Sequence, residues 1–517
     1  MRKKISALFL LIFMIIVSIF PNVAFADTNV TVKLPNFKVT LNETEINNSY
    51  RQYPLITYKG ITYFPMTFYD CRYLGLETTW DNVNGLGISK MNVSAPYNAS
   101  LQKNKNSNNM TARIPRFNIT LNNRIIDNSK EEYPILLFRN ITYFPMTWKF
   151  CVEEFGWKYN FDIKCGLVIE SSNPVVEKIS LVNCRGNFTA TEKYYVYQGK
   201  DGLIYRAPKN NINDFSLANT ELGIPETYPL FYKSNGELMM SHRYGTASIG
   251  GVMYHTINDD GTLSEPEYVR DTLVRYGDLT VTVNYGSVGP VFYTLCVYDG
   301  KAWGNLIRLY SGDGDYALAN IGRDFTIVGR DIYFSAAYGT YVESSGYNYV
   351  KEGLFKLDID TCEEVQLVDK YVQSFSIEGQ NIYFMQNDML YKTDLNSANG
   401  FVNLLEGKQI SDYMVIGDNI FYVEKNGDLL YKNSDEKPLF ENKKIFNMLG
   451  VGLQKIDDYA VITFVKDNFN PHGFAIFDKT GLLVFKSEDD VEFKSMNNDT
   501  AYFCSTVNNE LYSVKLK

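Results

Sequence analysis

The side chains that could carry out chemistry are few and stand far apart. The 517-residue chain holds three histidines, His242, His255 and His472. None belongs to a His-x-His pair, and a lone histidine is more often a hydrogen-bonding surface or core residue than a ligand. We therefore predict neither a metal centre nor a histidine-based catalytic site, and we assign no cofactor.

Two aspartates at alternate positions, Asp313 and Asp315, could open a calcium-binding loop. Such a loop also needs a further oxygen ligand and then a glycine. Ala317 and Leu318 occupy those places. We predict instead a turn with solvated carboxylates. A second pair at the same spacing is interpreted in the same way: Asp358 and Asp360.

Two short motifs match pieces of hydrolases, but each stands alone. Ser434-x-x-Lys437 has the spacing of a serine–lysine hydrolase without its companion motifs. Arg113-Ile114-Pro115 matches a sialidase motif, yet it aligns with Lys33-Leu34-Pro35 in a repeated part of the chain. The Gly-x-Ser-x-Gly, His-Glu-x-x-His and phosphate-binding glycine signatures are absent from the sequence. We predict a protein that is not an enzyme.

The first 26 residues have the pattern of a secretory signal peptide. Basic residues at positions 2–4 precede the apolar run from Ile5 to Phe20, and Ala24-Phe25-Ala26 forms a cleavage site. This run is short for a membrane span, and no later segment of the sequence is long and apolar enough to be one. We predict a secreted chain that is soluble or is held at the cell surface by contacts alone.

Composition narrows the class further. The chain has 39 Tyr and 33 Phe against 4 Trp, and these aromatic residues favour β-structure. Its formal net charge is −9, which gives no electrostatic attraction for nucleic acid or for anionic lipid. We therefore expect a mainly β protein that binds neither.

A duplicated module organises the first third of the chain. The sequence Ile-Thr-Tyr-Phe-Pro-Met-Thr occurs at Ile61–Thr67 and again 80 residues later (141 − 61) at Ile141–Thr147. In each copy short strands lead to a proline that should begin a helix, and a glycine should end it. We predict two small sheets, each packed on one helix. The predicted apolar helix faces contain Phe68 and Cys71 in the first copy and Trp148, Cys151 and Phe155 in the second.

This order of elements resembles the copper amine oxidase N-terminal-like domain, the stalk module of exported bacterial proteins. The resemblance is carried in the first copy by Tyr53-Pro54, Lys59–Met66, Leu74-Gly75 and Trp80-Asp81, and by their counterparts in the second. It implies a structural and contact module. Copper amine oxidase activity itself is rejected, because it needs three histidine ligands and an acid after its Asn-Tyr pair. Here Asn284-Tyr285 is followed by Gly286.

The rest of the chain contains short strands separated by Asn-Gly and Asp-Gly turns. A Gly-x-x-Ile-Tyr-Phe pattern begins at Gly329 and Gly379 and, with changes, at Gly417, Asp457 and Asn498. The steps of 50, 38, 40 and 41 residues are close to the ~40–45 residues of a four-stranded propeller blade. The pattern resembles the bacterial DUF5050-type β-propeller, related to the low-density-lipoprotein-receptor class. The length of the chain from Val175 onward, at this spacing, allows seven or eight blades. We expect Val175–Val182 to supply a closing strand to the last blade, because radial closure hides sheet edges.

Seven cysteines are scattered along the chain, and their odd number leaves at least one unpaired. Cys71 and Cys151 occupy equivalent positions of the two modules, which favours a packing role. Cys165 with Cys184 is the one disulfide pair that we consider.

The sequence thus predicts two α+β stalk modules, each an antiparallel sheet on one helix, followed by a seven- or eight-bladed β-propeller. The predicted segments are a signal peptide (1–26), stalk module 1 (30–90), a solvated linker (91–111), stalk module 2 (112–171) and the propeller (175–517). We expect an exported, non-catalytic surface or cell-envelope protein whose propeller recognises a cell-wall polymer or a surface protein. The alternatives are a polysaccharide-acting enzyme with a site at the propeller axis, or a structural protein of the envelope or spore.

Overall fold

The structure is a computed structural model that describes residues 29–516. Outside the description lie residues 220–227, 235, 246–249, 271, 286–290, 396, 433–435, 439–451, 466–470 and 488–489. The predicted signal peptide and Ser434 fall outside it as well. The chain divides into two compact units, one of residues up to Met91 with Tyr97–Ser172, and one of Asn92–Pro96 with the chain from Asn173 onward. In the part of the chain described, no helix has the length and apolarity needed to cross a membrane.

The first unit contains fourteen short strands within its described residues. They are β1 (Asn29–Lys33), β2 (Val39–Leu41), β3 (Thr44–Glu45), β4 (Ile56–Tyr58), β5 (Ile61–Pro65), β6 (Leu76–Asp81), β7 (Gly85–Lys90), β8 (Asn109–Arg113), β9 (Ile119–Leu121), β10 (Arg124–Ile125), β11 (Leu136–Phe138), β12 (Ile141–Pro145), β13 (Lys158–Asp162) and β14 (Gly166–Glu170). Six of them close a barrel in the order β1-β4-β5-β12-β11-β8, and two four-stranded sheets have the orders β10-β9-β7-β6 and β13-β14-β2-β3.

The two copies of the repeat share these sheets, which differs from the predicted pair of separate modules. β5 of the first copy pairs with β12 of the second, and each closing hairpin adds to the other copy's first strand: β14 runs parallel to β2, and β7 to β9. One apolar core contains Phe64 and Cys71 from the first copy together with Phe144 and Cys151 from the second. Each copy alone would leave part of this core in water, so the copies form one folding unit.

The helices of the two copies are short and unequal. An α-helix spans Phe68–Tyr73, a π-helix spans Lys149–Glu154, and a 3₁₀-turn spans Asn128–Lys130. The second copy has one more residue between its proline and its glycine (Pro145 to Gly156 against Pro65 to Gly75), and this insertion is accommodated by the wider π-turn. The terminal glycines, Gly75 and Gly156, have positive φ as expected.

Two details of the predicted helices are wrong. Pro65 is the last residue of β5, and the first helix begins after Thr67, whose side chain accepts a hydrogen bond from the Asp70 N–H. Phe68 and its counterpart Trp148 are exposed, whereas Cys71 and Cys151 are buried. Phe68 and Trp148 stand at the starts of the helices and face away from the core. The residues that face the core, Cys71 and Cys151, follow three positions later.

The segment predicted as a solvated linker, 91–111, is mostly exposed, and a few of its residues make specific contacts. Asn106 is buried, and its side-chain amide donates to the carbonyl oxygens of Asn48 and Arg51, each at 2.8 Å. Ser94 N–H donates to Lys486 O at 3.3 Å within the second unit, and β8 already begins at Asn109. Two of its asparagines, Asn92 and Asn106, thus use their side-chain amides as hydrogen-bonding groups.

The second unit contains thirty-two strands in its described residues. They are β15 (Val176–Ile179), β16 (Cys184–Ala190), β17 (Tyr194–Gly199), β18 (Ile204–Pro208), β19 (Ser216–Leu217), β20 (Leu230–Ser234), β21 (Glu237–Tyr244), β22 (Gly251–Thr256), β23 (Glu267–Val269), β24 (Thr272–Tyr276), β25 (Leu279–Tyr285), β26 (Tyr293–Asp299), β27 (Asn305–Tyr310), β28 (Ala317–Val328), β29 (Asp331–Val342), β30 (Gly346–Asp358), β31 (Glu364–Asp369), β32 (Ser374–Glu378), β33 (Asn381–Gln386), β34 (Met389–Asp394), β35 (Ser397–Asn403), β36 (Ile410–Ile416), β37 (Asn419–Glu424), β38 (Leu429–Lys432), β39 (Glu436–Pro438), β40 (Leu453–Ile456), β41 (Tyr459–Val465), β42 (Pro471–Asp478), β43 (Leu483–Ser487), β44 (Val491–Asn497), β45 (Thr500–Ser505) and β46 (Leu511–Lys515).

These strands form eight four-stranded antiparallel sheets. Seven are built from consecutive strands, β16–β19 through β40–β43, and the eighth has the order β15-β46-β45-β44. The predicted closing strand is confirmed: Val176 pairs with Val514 and Ile179 with Leu511. Because the first strand of the unit completes the last sheet, the chain closes on itself.

The repeated sequence motif is the turn between the first and second strands of a sheet. Gly329, Gly379 and Gly417 have φ of +62°, +60° and +56°, a backbone conformation that glycine adopts at little cost. The looser copies keep the same geometry at Asp457 and Asn498 (φ +50° and +49°). An equivalent turn at Gly277 (φ +55°) extends the repeat into the region where the sequence pattern is weak.

A tyrosine-lined candidate binding surface

One sheet of the second unit is longer than its neighbours. Its strands β28, β29 and β30 have 12, 12 and 13 residues, and no other described strand of the eight sheets exceeds 8. β29 and β30 pair as far as Val342 and Gly346, where Gly346 has φ of +79°. The additional length makes a hairpin end that the neighbouring sheets do not match.

The hairpin end carries three tyrosines on one side, which we call the tyrosine face: Tyr341, Tyr347 and Tyr349. Tyr341 is directly opposite Tyr347 in the strand pairing, with ring centroids 5.2 Å apart. Tyr347 and Tyr349 are two residues apart on β30 and therefore point the same way. Tyr341 and Tyr349 are 41% and 50% exposed. The three rings thus form an accessible aromatic row.

Contacts on both sides hold this row in place. The Tyr347 hydroxyl donates to Val291 O at 2.8 Å, and the Phe292 ring meets the Tyr347 ring edge-on at 5.9 Å. Opposite Tyr349 the chain has Gly339, where a Cβ would lie 2.2 Å from Asn348 O. Glycine is required there for the strands to approach this closely.

A polar cluster fixes the base of the hairpin. The Glu364 carboxylate accepts hydrogen bonds from the hydroxyls of Tyr310 and Tyr338 and from Lys351 Nζ, the last at 2.6 Å. Burial, followed by the charge of Glu364, raises the pKa of Tyr338, so this phenol stays protonated and remains a donor. Four strands, β27 and β29–β31, supply the members of the cluster, which makes the support of the tyrosine face rigid.

A pocket of about 390 Å³ opens on the same sheet. Small residues of β28–β30 make its floor, and the segment before β32 supplies one wall, with residues that include Asn320, Gly322, Ser335, Gly353, Tyr371 and Gln373. Gln373 is held by Asp388: its Nε2 donates to Asp388 Oδ1 at 2.9 Å, and its Oε1 accepts from Asp388 N at 2.8 Å. Amide and hydroxyl groups beside an exposed tyrosine are suited to binding a neutral polar molecule.

The acids singled out in the sequence cap their own turns. Asp313 Oδ1 accepts from the N–H groups of Asp315 and Tyr316 at 3.2 and 2.9 Å. Asp358 does the same for Asp360 and Thr361, and its pKa is lowered chiefly by the Thr361 N–H. Among the carboxyl groups described, every one with a shifted pKa is shifted downward. Such groups are ionised hydrogen-bond acceptors near neutral pH, which is the opposite of a general acid.

The histidines have a different arrangement from the isolated positions that the sequence suggests. His242 and His255 are buried on adjacent strands, and their rings are stacked at 5.7 Å with 9° between the planes. Their Nδ1 atoms lie 3.3 Å from Arg243 O and 2.9 Å from Ser264 O. Across the described ranges, no group of three or more His, Cys, Asp or Glu side chains could hold a metal ion. The stacked pair is part of the interior.

The remaining candidates are dispersed. Arg113 ends β8 in the first unit, and Asn284-Tyr285 ends β25. Cys165 and Cys184 are free thiols, so the disulfide considered from the sequence is wrong. The tyrosine face was missed, although the alternation Tyr347-x-Tyr349 opposite Tyr341 was a signal available in the sequence.

Comparison with known proteins identifies no family, because no family model and no curated protein matches the chain. Similar solved structures include the computationally designed Ika8 protein (12% identity, 66% of this chain and 99% of that chain, TM-score 0.43). They also include BamB from Moraxella catarrhalis, at 11% identity over 66% of this chain and 98% of that chain, with a TM-score of 0.39. A further one is the β-propeller domain of the trilobed protease from Pyrococcus furiosus, at 8% identity over 56% of this chain and 93% of that chain, with a TM-score of 0.36.

The strand order of the second unit defines the class. Eight consecutive four-stranded antiparallel sheets, closed by pairing of the first strand with the last, are the architecture of a β-propeller. The chain is therefore a β-propeller protein with an additional β-rich unit, described over residues 29–91 and 97–172.

Proposed function

We propose that this protein is an exported, non-catalytic surface protein whose propeller binds a cell-wall polysaccharide through the tyrosine face. The observation that carries the proposal is the row of Tyr341, Tyr347 and Tyr349 on a hairpin that extends past its neighbours. In this proposal residues 29–172 serve as the stalk, built from the two repeats that resemble the copper amine oxidase N-terminal-like domain.

The chemistry of the row favours sugars over other partners. A pyranose ring has apolar C–H faces and a polar rim, and a tyrosine has an apolar ring with a hydroxyl at its end. The Tyr347 and Tyr349 ring centroids are 6.1 Å apart with 7° between the planes, so successive parts of one extended chain can contact both. Exposed apolar area of this kind is costly unless it serves binding.

Binding without bond cleavage is supported by the acids. Cleavage of a glycosidic bond by the common route needs one carboxylic acid with a raised pKa. Glu364, in the polar cluster at the hairpin base, is already engaged with two tyrosines and a lysine. Every described carboxyl group with a shifted pKa is shifted downward, which supports a role of the row in contact rather than in proton donation.

Co-sedimentation with purified bacterial cell walls, before and after removal of their accessory polysaccharides, tests the proposal. We expect saturable retention that is lost with the polysaccharides, and no new reducing ends. Release of reducing ends would replace the proposal with the enzyme alternative, and retention abolished by protease treatment of the walls would indicate a surface protein as partner. Absence of retention, with self-assembly in light scattering, would favour the structural role.

A further inference from the structure

A second pocket, of about 420 Å³, lies where the propeller closes. It is bounded by the last sheet, which contains the closing strand β15, and by the first sheet, β16–β19. At one end the interface between these sheets is apolar and contains Ile179, Phe188 and Leu511. At the other end the interface is polar and opens into the pocket.

The polar wall is one face of the last sheet. Glu177, Ser513 and Tyr502 are directly opposite one another on β15, β46 and β45, so they form one row across the sheet. Thr500 and Lys515 form a second row on the same face. The wall therefore presents the aliphatic hydroxyls of Thr500 and Ser513, the phenol of Tyr502, the Glu177 carboxylate and the Lys515 ammonium group to the pocket.

Lys209, directly after β18, forms the opposite wall. Its Nζ lies 5.4 Å from the centroids of both Tyr195 and Tyr502 and donates to the Tyr502 hydroxyl at 2.9 Å. The Tyr195 and Tyr502 rings are themselves perpendicular at 6.3 Å. Two aromatic rings thus hold the ammonium group at the pocket.

Among the described residues, the Lys209 ammonium group contacts a hydroxyl and two aromatic rings and forms no ion pair. Burial lowers its pKa, and the charge of Glu192 offsets this effect only in part. A partly buried cation without a counter-ion is destabilised, and an anion entering the pocket would relieve that cost.

We propose that this pocket binds a carboxylated sugar of the uronate type. The carboxylate pairs with Lys209 Nζ, one face of the sugar ring packs on the half-buried Tyr195, and the sugar hydroxyls exchange hydrogen bonds with Thr500, Ser513 and Glu177. A pocket of this volume is within the ~300–1,000 Å³ usual for small-ligand sites and accommodates a single sugar residue. The site is separate from the tyrosine face and is expected even if that face binds nothing.

Calorimetry with methyl glucuronide and methyl galacturonide, beside the corresponding neutral glucoside and galactoside, tests this assignment. We expect at least one uronide to bind at least tenfold more tightly than its neutral counterpart, and Lys209→Met to weaken that binding at least tenfold. The matched control is Lys193→Met, which leaves the affinity unchanged. Equal binding of charged and neutral sugars, or an unchanged affinity in Lys209→Met, would overturn the assignment.

A second variant covers the case in which Lys209→Met fails to fold. The double substitution Thr500→Val and Ser513→Ala removes the two hydroxyls, and we expect it to weaken uronide binding several-fold while acetate binding stays unchanged. If acetate binds as tightly as the uronides, the pocket takes a bare carboxylate and the sugar assignment is wrong. Polysaccharide retention by the tyrosine face is measured separately, so the two proposals fail independently.

Discussion

The rings of Tyr347 and Tyr349 lie nearly parallel, 7° apart in plane and 6.1 Å apart at their centroids. The two rings are stacked, so together they form one aromatic block on one face of the hairpin. Across the hairpin the Tyr341 ring meets the Tyr347 ring edge-on, at 5.2 Å with 67° between the planes. The extra length of this sheet thus provides the hairpin that carries the three tyrosines, and these are the residues proposed to bind an extended polymer.

Removal of the exposed rings should weaken polysaccharide binding. We expect Tyr341→Ala with Tyr349→Ala to reduce affinity by about thirty-fold, since each lost ring contact contributes about 1 kcal/mol. Tyr347 is left intact because it anchors the hairpin through Val291 O. Retention by cell walls over a concentration series measures the change.

The matched control removes two comparably exposed tyrosines elsewhere, Tyr50 and Tyr276, which are 46% and 40% exposed. Their double alanine variant should bind as the unmodified protein does. An equal loss in both double variants would show that exposed tyrosines act non-specifically and would contradict the assignment of the tyrosine face.

A buried ion pair should control the stability of the first unit. Arg51 Nη2 lies 2.6 Å from Asp70 Oδ1, with both side chains almost fully buried. We expect Asp70→Asn to lower the free energy of unfolding by about 3–5 kcal/mol, because it leaves the guanidinium group buried without its counter-charge. Trp80, Trp148 and Trp157 belong to this unit, so tryptophan fluorescence during urea denaturation reports the change.

The control for this prediction is the exposed pair of Asp127 with Lys130. Asp127→Asn should leave the denaturation midpoint where it was, because exposed ion pairs add little to stability. A midpoint in Asp70→Asn that equals the midpoint of the Asp127 variant would refute the role given to the buried pair.

The buried histidines should make the second unit sensitive to acid. Burial lowers the pKa of His255 below its usual 6.5, and the adjacent His242 lowers it further. Below pH 6.5 the unfolded chain therefore binds a proton that the folded chain does not. Stability is fully present above that pH and is lost as the pH falls towards the folded pKa, by about 1.4 kcal/mol for each pH unit.

Urea denaturation followed by circular dichroism at pH 7.5 and pH 5.5 measures this effect. His255→Phe removes the titrating group. The difference in the free energy of unfolding between pH 7.5 and pH 5.5 should therefore shrink by the contribution of one proton. An identical pH dependence in the variant and the unmodified protein would mean that His255 does not titrate on unfolding.

Thiol reactivity should separate the cysteines by burial. Cys165 is exposed, whereas burial raises the pKa of Cys71 and Cys151, and buried thiols react slowly. We expect Cys165 to react first with Ellman's reagent in the folded protein, and all seven thiols to react after denaturation without reductant. Cys165→Ser should remove the fast phase, and a total of five in the denatured protein would reveal a disulfide.

The turns of the propeller could be predicted from the sequence because positive φ selects particular residues. Gly329, Gly379 and Gly417 mark such turns directly. The closing strand followed from the need to cover a sheet edge. The sheets before residue 320 were harder to delimit, because the strand that follows the equivalent turn at Gly277, Leu279–Tyr285, lacks the Ile-Tyr-Phe sequence.

The shared sheets of the first unit could not be predicted from the repeat. Two separate modules and two modules that share strands would have the same 80-residue period and the same apolar pattern. The pattern therefore does not show which strand pairs with which. The parallel pairing of Leu167 with Val39 is between copies, and only the packing of the whole unit selects it. The exposure of the tyrosine face could not be predicted from the sequence either, because it depends on how far the neighbouring sheets extend.

Hydrogen–deuterium exchange with soluble fragments of the wall polysaccharide tests the central claim most directly. We expect the fragments to slow exchange in residues 338–350 of the second unit and to leave residues 29–91 unchanged. Protection confined to the first unit, with none in the hairpin at saturating fragment concentration, would contradict the account.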